Sequence, residues 1–281
     1  MGRRDQAVLI TGATRGIGRA TALHLARRGH QVFATGRNQA LLAALERESR
    51  AEDLRLVVAP LDVRNAVAAE AAVGSALREL GRIDALVNNA GYGLSGFLEE
   101  LTLEEVRAVF ETNFFAALRM SQLVLPHMRE RRSGTIVNVG SVAGQIGAPM
   151  EGAYAASKFA LHAQSRVLRM EVATFGVRVV LIEPGVIKTD FQENKAWAQS
   201  ALQEGSPYAG MRERTHVKAL ARQVFAQGPE GVAVKVRQAI ESRAPRARYA
   251  VGIDARAGAL ASRLLPDAVL DFLVRRAVLG E

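Results

Sequence analysis

A glycine-rich turn near the start of the chain constrains the fold more strongly than any other feature of the sequence. It joins the short apolar run Ala7–Ile10 to a helical stretch, and it consists of Thr11, Gly12, Ala13, Thr14, Arg15, Gly16, Ile17 and Gly18. Glycines let the backbone turn tightly and approach a ligand where a Cβ atom would collide. The N–H groups that open the following helix attract a pyrophosphate. The turn therefore predicts dinucleotide binding; the alternative is a tight turn that only packs the helix against the sheet.

Apolar runs alternate with helical stretches along most of the chain. The strand-like runs lie at 8–10, 31–35, 54–59, 85–88, 135–139, 177–182 and 249–252. Runs of Val, Leu and Ile without polar alternation are typical of parallel strands buried on both faces. Repeated strand-then-helix units predict a doubly wound sheet. We predict a single α/β domain over residues 1–281, with a Rossmann-type sheet of about seven parallel strands and helices on both faces.

Composition excludes several classes of protein. The 281 residues include no cysteine, which excludes a disulfide scaffold, an iron–sulfur cluster and a cysteine nucleophile. None of the five histidines has metal-ligand spacing to another, so we expect no metal site. The net charge is +9, but the basic residues are interspersed with acidic ones and no basic run is interleaved with aromatic residues. We therefore expect an arginine-rich surface and no nucleic-acid partner.

Membrane and targeting signals are weak in this sequence. No run of 18 uncharged apolar residues occurs, so we predict no transmembrane segment. The start of the chain leads directly into the first strand without an apolar signal core, and we expect a cytoplasmic protein. Residues 255–281 are predicted to form a C-terminal helical extension. That extension covers the pocket, packs against a sister subunit or makes peripheral contact with a membrane surface.

Motifs later in the chain follow the glycine-rich turn in a recognisable order. They are Leu61-Asp62-Val63, Asn88-Asn89-Ala90-Gly91, Asn113, Ser141 with Val142-Ala143-Gly144, Tyr154 with Lys158, and Pro184-Gly185 with Thr189. Over about residues 7–191 the chain resembles the short-chain dehydrogenase/reductase family, and in particular the branch that acts on 17β-hydroxysteroids and retinoids. The resemblance implies an oxidoreductase that interconverts a ketone or aldehyde and an alcohol by hydride transfer.

The predicted catalytic residues are Ser141, Tyr154, Lys158 and Asn113. Tyr154 and Lys158 are four residues apart, so on a helix they share one face. An alkoxide formed by hydride transfer needs a proton, but a free tyrosine has a pKa of about 10. A neighbouring ammonium and the positive nicotinamide ring favour the phenolate and lower that pKa, while Ser141 holds the substrate oxygen. The resemblance implies that Lys158 also holds the nicotinamide ribose and that Asn113 supports a water relay to Lys158.

Further cofactor contacts are implied by the resemblance. Asp62, with Val63 beside it, is expected to meet the adenine, although an Asp after a strand is also a common cap. The Asn88–Gly91 turn places Asn89, Ala90 and Gly91 beside the cofactor, unless it is an ordinary loop. Pro184 and Gly185 lead to Ile187 and Thr189, which approach the nicotinamide carboxamide in relatives; a plain Pro-Gly turn is the alternative.

The choice between the two nicotinamide cofactors depends on the end of the second strand. An enzyme that selects NAD usually has an acidic residue there for the ribose 2′-hydroxyl, but none is present between Gln31 and Leu45. Instead Arg37 follows the strand and Arg15 lies in the glycine-rich turn. Two guanidinium groups suit a 2′-phosphate, so NADP(H) is predicted over NAD(H), with plain surface charge as the alternative.

The substrate is the least determined part of the prediction. Residues 192–231 are expected to form a substrate lid, and an apolar cleft is predicted from Tyr92, Leu94, Phe97, Ile146, Pro149 and Met150, which are otherwise core residues. We expect a lipophilic small-molecule carbonyl or alcohol. Two alternatives stay open: a 3-oxoacyl-[acyl-carrier-protein] reductase, and a non-catalytic NADP-sensing binding protein. By analogy with relatives, helices around 104–131 and 153–174 are expected to form a homodimer or homotetramer.

Overall fold

Strands buried on both faces build a parallel sheet of seven strands. The computed structural model describes residues 5–191, 195–200, 205–215 and 226–280. The strands of this sheet are β1 (Ala7–Ile10), β2 (Gln31–Gly36), β3 (Leu56–Pro60), β4 (Ala85–Asn88), β6 (Gly134–Val139), β7 (Val177–Pro184) and β9 (Arg248–Val251). They lie side by side in the order β3-β2-β1-β4-β6-β7-β9. All these pairings are parallel, which confirms the predicted Rossmann-type class.

Helices cover both faces of this sheet. They are α1 (Gly16–Ala26), α2 (Gln39–Ala51), α3 (Ala66–Leu80), α4 (Leu103–Phe110), α5 (Ala116–Glu130), α6 (Gly152–Val172), α7 (Glu230–Glu241), α8 (Ile253–Leu264) and α9 (Asp267–Val278). Val8 and Ile10 point to a core shared with α1, α2 and α7. Ala7 and Leu9 point to the opposite core, shared with α3 and α5. Alternate residues of one strand thus bury against opposite layers, because successive side chains of a strand face opposite ways.

The order of strands reverses at β1. The chain passes from β1 outward to β2 and β3, and then returns to the other side of β1 with β4. At such a switch point the loops after two neighbouring strands diverge and leave a crevice at the carboxyl edge of the sheet. The glycine-rich turn follows β1 at this edge, and the Asn88–Gly91 turn follows β4. The fold therefore brings these two predicted motifs to one place.

The helix expected around 104–131 is interrupted. Between α4 and α5 lies a wider π-helical turn, Glu111–Phe115. The Thr112 hydroxyl donates to the Ala108 carbonyl inside this region, and π turns of this kind often mark functional positions. Asn113 lies in this turn and not in a regular helix.

A second, two-stranded pairing was not predicted. β5 (Leu94–Ser95) pairs in parallel with β8 (Ala196–Trp197). This pairing ties the described part of the predicted lid to the segment after β4; residues 192–194, 201–204 and 216–225 of that lid lie outside the described residues.

The predicted C-terminal extension, residues 255–281, contains all of α9 and all but the first two residues of α8; these helices begin at Asp267 and Ile253, respectively. None of the helices in the described ranges is both long and apolar enough to cross a membrane.

Candidate active site

The glycine-rich turn is shaped by contacts that exclude side chains. Gly12 has φ +67, and a Cβ atom there would lie 2.8 Å from Ala90 Cα. Gly18 lies in the first turn of α1, where a Cβ atom would collide with the Gly12 carbonyl. Only glycine fits both positions without moving the backbone. The turn after β1 therefore packs directly against the turn after β4.

Hydrogen bonds hold these two turns together. The Thr11 hydroxyl oxygen accepts from the backbone N–H groups of Asn89 and Ala90, each at 3.1 Å. The Asn89 amide donates in return to the carbonyl oxygens of Thr11 at 3.1 Å and Gly12 at 2.9 Å. Asn89 and Ala90 thus lie beside the glycine-rich turn, and Gly91 follows them toward the predicted catalytic residues; their contact with the cofactor stays a prediction.

The start of helix α1 suits an anionic group. Its first residue, Gly16, has φ +50, and Arg15 at the N-cap position is extended with no side-chain cap for the helix. The first N–H groups of the helix and its positive dipole end face the crevice, an arrangement that binds phosphates in many proteins. The turn that contains Thr14 and Ile17 therefore fits the pyrophosphate of a dinucleotide.

The loop after β7 reaches this turn. The Thr189 side chain lies opposite Gly16, where an added Cβ atom would be 3.2 Å from Thr189 Cβ, and Arg15 lies 3.9 Å from the Asp190 carboxylate. Within the loop, the Lys188 N–H donates to the Gln227 carbonyl, next to a bridge between Ile187 and Gln227. The structure therefore brings Gly16 and the Pro184–Gly185 loop together.

Tyr154 and Ser141 meet at the carboxyl edge of the sheet. Tyr154 is 8% exposed and lies in the first turn of α6, while Ser141 follows β6 and its Oγ accepts from the Ala143 N–H at 3.1 Å. Burial raises the pKa of the Tyr154 phenol, and its hydrogen bond with Ser141 acts in the opposite direction. In the protein alone the phenol is therefore less acidic than free tyrosine, and the lowered pKa remains a prediction for the complex with the nicotinamide.

Lys158 lies one turn after Tyr154 on α6. Its Nζ donates to the Val139 carbonyl at 3.0 Å and lies 5.8 Å from the centroid of the Tyr154 ring. Burial lowers the pKa of Lys158 to about 8. Such a lysine exchanges its proton close to neutral pH, which suits a residue that assists proton transfer.

Both the nitrogen and the oxygen of the Asn113 side-chain amide form hydrogen bonds. Its Nδ2 donates to the Tyr92 carbonyl and the Ser157 hydroxyl, and its Oδ1 accepts from the Tyr92 N–H, all at 3.0 Å. The π turn aims this side chain at the segment around Gly91, where an added Cβ atom would lie 2.9 Å from Asn113 Oδ1 and 3.7 Å from Lys158 Nζ. Asn113 and Lys158 thus border the same glycine; the water relay between them stays a prediction.

The predicted adenine and ribose contacts form a charged cluster. The Asp62 carboxylate accepts from the guanidinium of Arg64 at 2.6 and 3.0 Å, and Val63 between them is buried. Arg64 is the main cause of the lowered pKa of Asp62, with a smaller contribution from the charge of Arg37. Arg64 was not predicted from the sequence, because no motif singles it out among many arginines.

A polar cluster beneath Ser141 was also missed. His162 lies one turn after Lys158 on α6, beneath Gly140 and Gly144, with Nδ1 3.5 Å from the Glu183 carboxylate. Burial, together with the charges of Arg248 and Lys158, lowers the pKa of His162 to about 3. Its place eight residues after Tyr154 was the available signal, since residues spaced by two turns share a helix face.

The mouth of the site is apolar. The Phe191 ring packs against the Tyr154 ring with centroids 5.7 Å apart, and Ala143 and Ala155 complete this cluster. Of the predicted cleft residues, Leu94 and Met150 are almost fully buried, and Tyr92 packs with Leu94. Within the described residues no group of three His, Asp or Glu side chains is arranged to hold a metal ion.

Comparison with known proteins gives consistent matches. The sequence model of a family described as short chain dehydrogenase matches residues 6–200. The chain is 42% identical over 192 residues to a 3-ketodihydrosphingosine reductase from Bacteroides thetaiotaomicron, covering 68% of each chain. It is 40% identical over 209 residues to retinol dehydrogenase 8 from Homo sapiens, covering 73% of this chain and 66% of that one. The solved structure of a short-chain dehydrogenase from Streptomyces avermitilis superimposes with a TM-score of 0.82 at 34% identity, covering 97% of this chain and 96% of the other.

Proposed function

The chain belongs to the short-chain dehydrogenase family, and from this premise we propose an NADP(H)-dependent oxidoreductase that interconverts a lipophilic ketone or aldehyde and its alcohol, with Tyr154 as general acid and base. Membership of the family implies action on a CH–OH group with a nicotinamide cofactor. The observation that carries the proposal is the cluster of Ser141 with the buried Tyr154 and Lys158 beside the glycine-rich turn at the switch point of the sheet.

The residues of this cluster divide the proton chemistry between them. The nicotinamide, when bound, supplies or accepts the hydride. Tyr154, kept protonated by burial, gives its phenolic proton to the carbonyl oxygen of the substrate in reduction and takes it back in oxidation. Ser141 donates a hydrogen bond to that oxygen as negative charge develops there. Lys158, with its pKa of about 8, stabilises the phenolate that Tyr154 leaves behind.

The arginines near β2 support NADP(H). Arg37 follows the strand directly, and the carboxylate next to it, Asp62, is already paired with Arg64. No acidic residue lies between Gln31 and Leu45 to attract a ribose 2′-hydroxyl. Arg37 beside the Asp62–Arg64 pair thus offers positive charge where a 2′-phosphate would bind, whereas Arg15 at the start of α1 lies 3.9 Å from Asp190.

An apolar entrance supports a lipophilic substrate. Phe191, Ala143 and Ala155 surround the Tyr154 ring, and apolar side chains favour substrates that lose water-exposed hydrocarbon on binding. Two relatives carry names that refer to 3-ketodihydrosphingosine and retinol, and both compounds are long and largely apolar.

The test is a screen of carbonyl compounds and alcohols with both cofactors, on the wild-type protein and on Tyr154→Phe. We expect NADPH-dependent reduction of long-chain or cyclic ketones, and a loss of roughly 100-fold or more in kcat for Tyr154→Phe, because general acid–base catalysis contributes on that order. The dissociation constant for NADPH should stay the same in the variant. Undiminished turnover by Tyr154→Phe would refute the mechanism, and turnover confined to carrier-bound 3-oxoacyl groups would favour the carrier-protein alternative.

A further inference from the structure

Helix α8 (Ile253–Leu264) contacts two loops of the proposed active site. We call residues 184–189 the nicotinamide loop and residues 140–146 the serine loop. We propose that Asp254, in the first turn of α8, is a positioning residue that fixes the nicotinamide loop relative to the serine loop and so sets the nicotinamide half of the cofactor site. This inference rests on the proposed function, because the resemblance to the family assigns the nicotinamide contacts to Ile187 and Thr189.

The Asp254 carboxylate lies between two glycines of the backbone, Gly185 and Gly252. Its Oδ2 accepts a hydrogen bond from the Val186 N–H at 2.6 Å. Gly185 lies on one side and Gly252, with φ +110, on the other, and a Cβ atom on either glycine would collide with the carboxylate. The carboxylate therefore approaches the backbone of the nicotinamide loop closely, and a side chain at either glycine would have to displace it. Hydrogen bonds from a backbone N–H to a carboxylate are stronger than those between neutral groups.

The remainder of α8 lies against the serine loop. An added Cβ atom on Gly258 would be 2.8 Å from Val142 and 3.3 Å from Ile146, so the helix backbone packs closely on this loop. One turn further on, the Ser262 hydroxyl lies 3.5 Å from Gln145 Oε1. A single helix of three turns thus touches the nicotinamide loop at its first turn and the serine loop along its length.

The two loops are also joined directly at Glu183. Gln145 of the serine loop donates from Nε2 to Glu183 Oε1 at 2.7 Å. Glu183 is 2% exposed and precedes Pro184 of the nicotinamide loop, and Arg248 donates to the same carboxylate from Nε at 2.8 Å. The Glu183 contact fixes the start of the nicotinamide loop, and Asp254 fixes the next residues. The backbone groups of Val186 and Lys188 also pair with Gln227. Without Asp254 the segment that carries Ile187 and Thr189 would keep these bonds but lose its hydrogen bond to α8 at Val186.

The nicotinamide loop lies near the proposed site of the nicotinamide half of the cofactor and away from the proposed site of its adenine half. Thr189 lies opposite Gly16, on the side of the crevice nearest the catalytic residues. The charged cluster of Arg37, Asp62 and Arg64 lies after β2 and β3, on the other side of β1. A displaced nicotinamide loop should therefore weaken binding of the whole dinucleotide and leave binding of its adenine half unchanged.

The experiment compares Asp254→Ala and Asp254→Asn with Asp267→Ala. Asp267 is the acidic residue in the first turn of the next helix, so its removal costs the same favourable contact with a helix dipole without touching the nicotinamide loop. Binding of NADPH and of 2′,5′-ADP, which lacks the nicotinamide, is measured by calorimetry. Hydrogen exchange of the Val186 amide is measured on the free protein.

We expect the dissociation constant of Asp254→Ala for NADPH to rise about tenfold, since hydrogen bonds to charged groups contribute on that order, while that for 2′,5′-ADP stays within about twofold. The Val186 amide should exchange faster in Asp254→Ala, and less so in Asp254→Asn, whose amide oxygen can still accept the hydrogen bond. The Asp267→Ala control should match the wild type in all three measurements.

Equal weakening of both ligands, or unchanged exchange at Val186, would overturn the role of Asp254. A wild-type protein that binds neither ligand would instead refute the proposed cofactor. The exchange measurement then still decides whether Asp254 holds the loop, and Asp254→Asn provides it if Asp254→Ala does not fold.

Discussion

At the scale of single residues, burial changes the acid–base chemistry of Tyr154 and Lys158, the proposed catalytic pair. Tyr154 and Lys158 are 8% and 5% exposed, and burial favours the uncharged form of each. It therefore raises the pKa of the phenol and lowers the pKa of the amine, to about 8. A protonated phenol next to an amine that titrates near neutral pH is suited to giving a proton to a substrate oxygen.

The pKa of Lys158 predicts a pH dependence. Because it is lowered to about 8, the ammonium is present below that pH and is lost above it, whereas a free lysine would keep its charge. We expect kcat/KM for carbonyl reduction to be constant near neutral pH and to fall as the pH rises through about 8. In Lys158→Arg, whose guanidinium stays charged, the remaining activity should lack this fall. The same fall in that variant would assign it to another group.

Substitution of the single residue Arg37 tests whether the protein prefers NADPH over NADH. We expect Arg37→Ala to raise the dissociation constant for NADPH about tenfold or more, because a charge-assisted hydrogen bond to the 2′-phosphate is lost, and to change that for NADH little. Arg50→Ala, which removes an exposed arginine of α2 paired with Glu46, is the matched control. Equal losses for NADPH and NADH, measured by fluorescence titration, would contradict the assignment.

At the scale of elements, the packing around a glycine differs between helices α1 and α3. Gly18 in α1 and Gly74 in α3 both lie within helices. A Cβ atom on Gly18 would collide with the Gly12 carbonyl, whereas on Gly74 the nearest atom is Arg78 Nη1 at 3.5 Å. The glycine of α1 is therefore required by the packing of the turn, and the glycine of α3 is not.

These two glycines give a paired prediction. Gly18→Ala should lower the free energy of unfolding by about 1–3 kcal/mol through overpacking and weaken dinucleotide binding. Gly74→Ala should raise it by up to about 1 kcal/mol, because alanine is the better helix former. Urea denaturation of both variants checks the pair. A Gly18→Ala protein as stable as the wild type would show that the turn can relax away from α1.

At the scale of the whole molecule, apolar side chains remain exposed on α6. Phe159 is 46% exposed and Met170 62% exposed, both on α6. Large exposed apolar side chains that share one region often mark a protein interface. This supports the homodimer or homotetramer expected from the sequence. Phe272 on α9 is similarly exposed, at 55%, and represents the alternative interface through the C-terminal extension.

Light scattering on variants of each surface shows which of the two forms the subunit interface. We expect the wild type to be at least a dimer, and Phe159→Glu and Met170→Glu to dissociate it, because a buried unpaired carboxylate at an interface is unfavourable. Phe272→Glu should leave the oligomer intact. Dissociation by Phe272→Glu alone would place the subunit interface on α9.

The sequence by itself determined the fold class and most of the predicted site. Both depend on local patterns: apolar runs of strand length, glycines at fixed spacing, and Tyr154 four residues before Lys158 on one helix face. Such patterns can be read along the chain because strand and helix periodicity are local properties. They predicted the parallel sheet and singled out Gly12, Asn89, Ser141 and Thr189 as site residues.

Only the tertiary structure decided which other residues contact and support the predicted site residues. His162, Glu183, Arg64 and Asp254 come from different elements and carry no motif, so their roles follow from what they meet across the fold. The π turn at Asn113 and the pKa values of Tyr154 and Lys158 have the same origin. Burial and long-range contacts set them, and neither can be read from the order of residues along the chain.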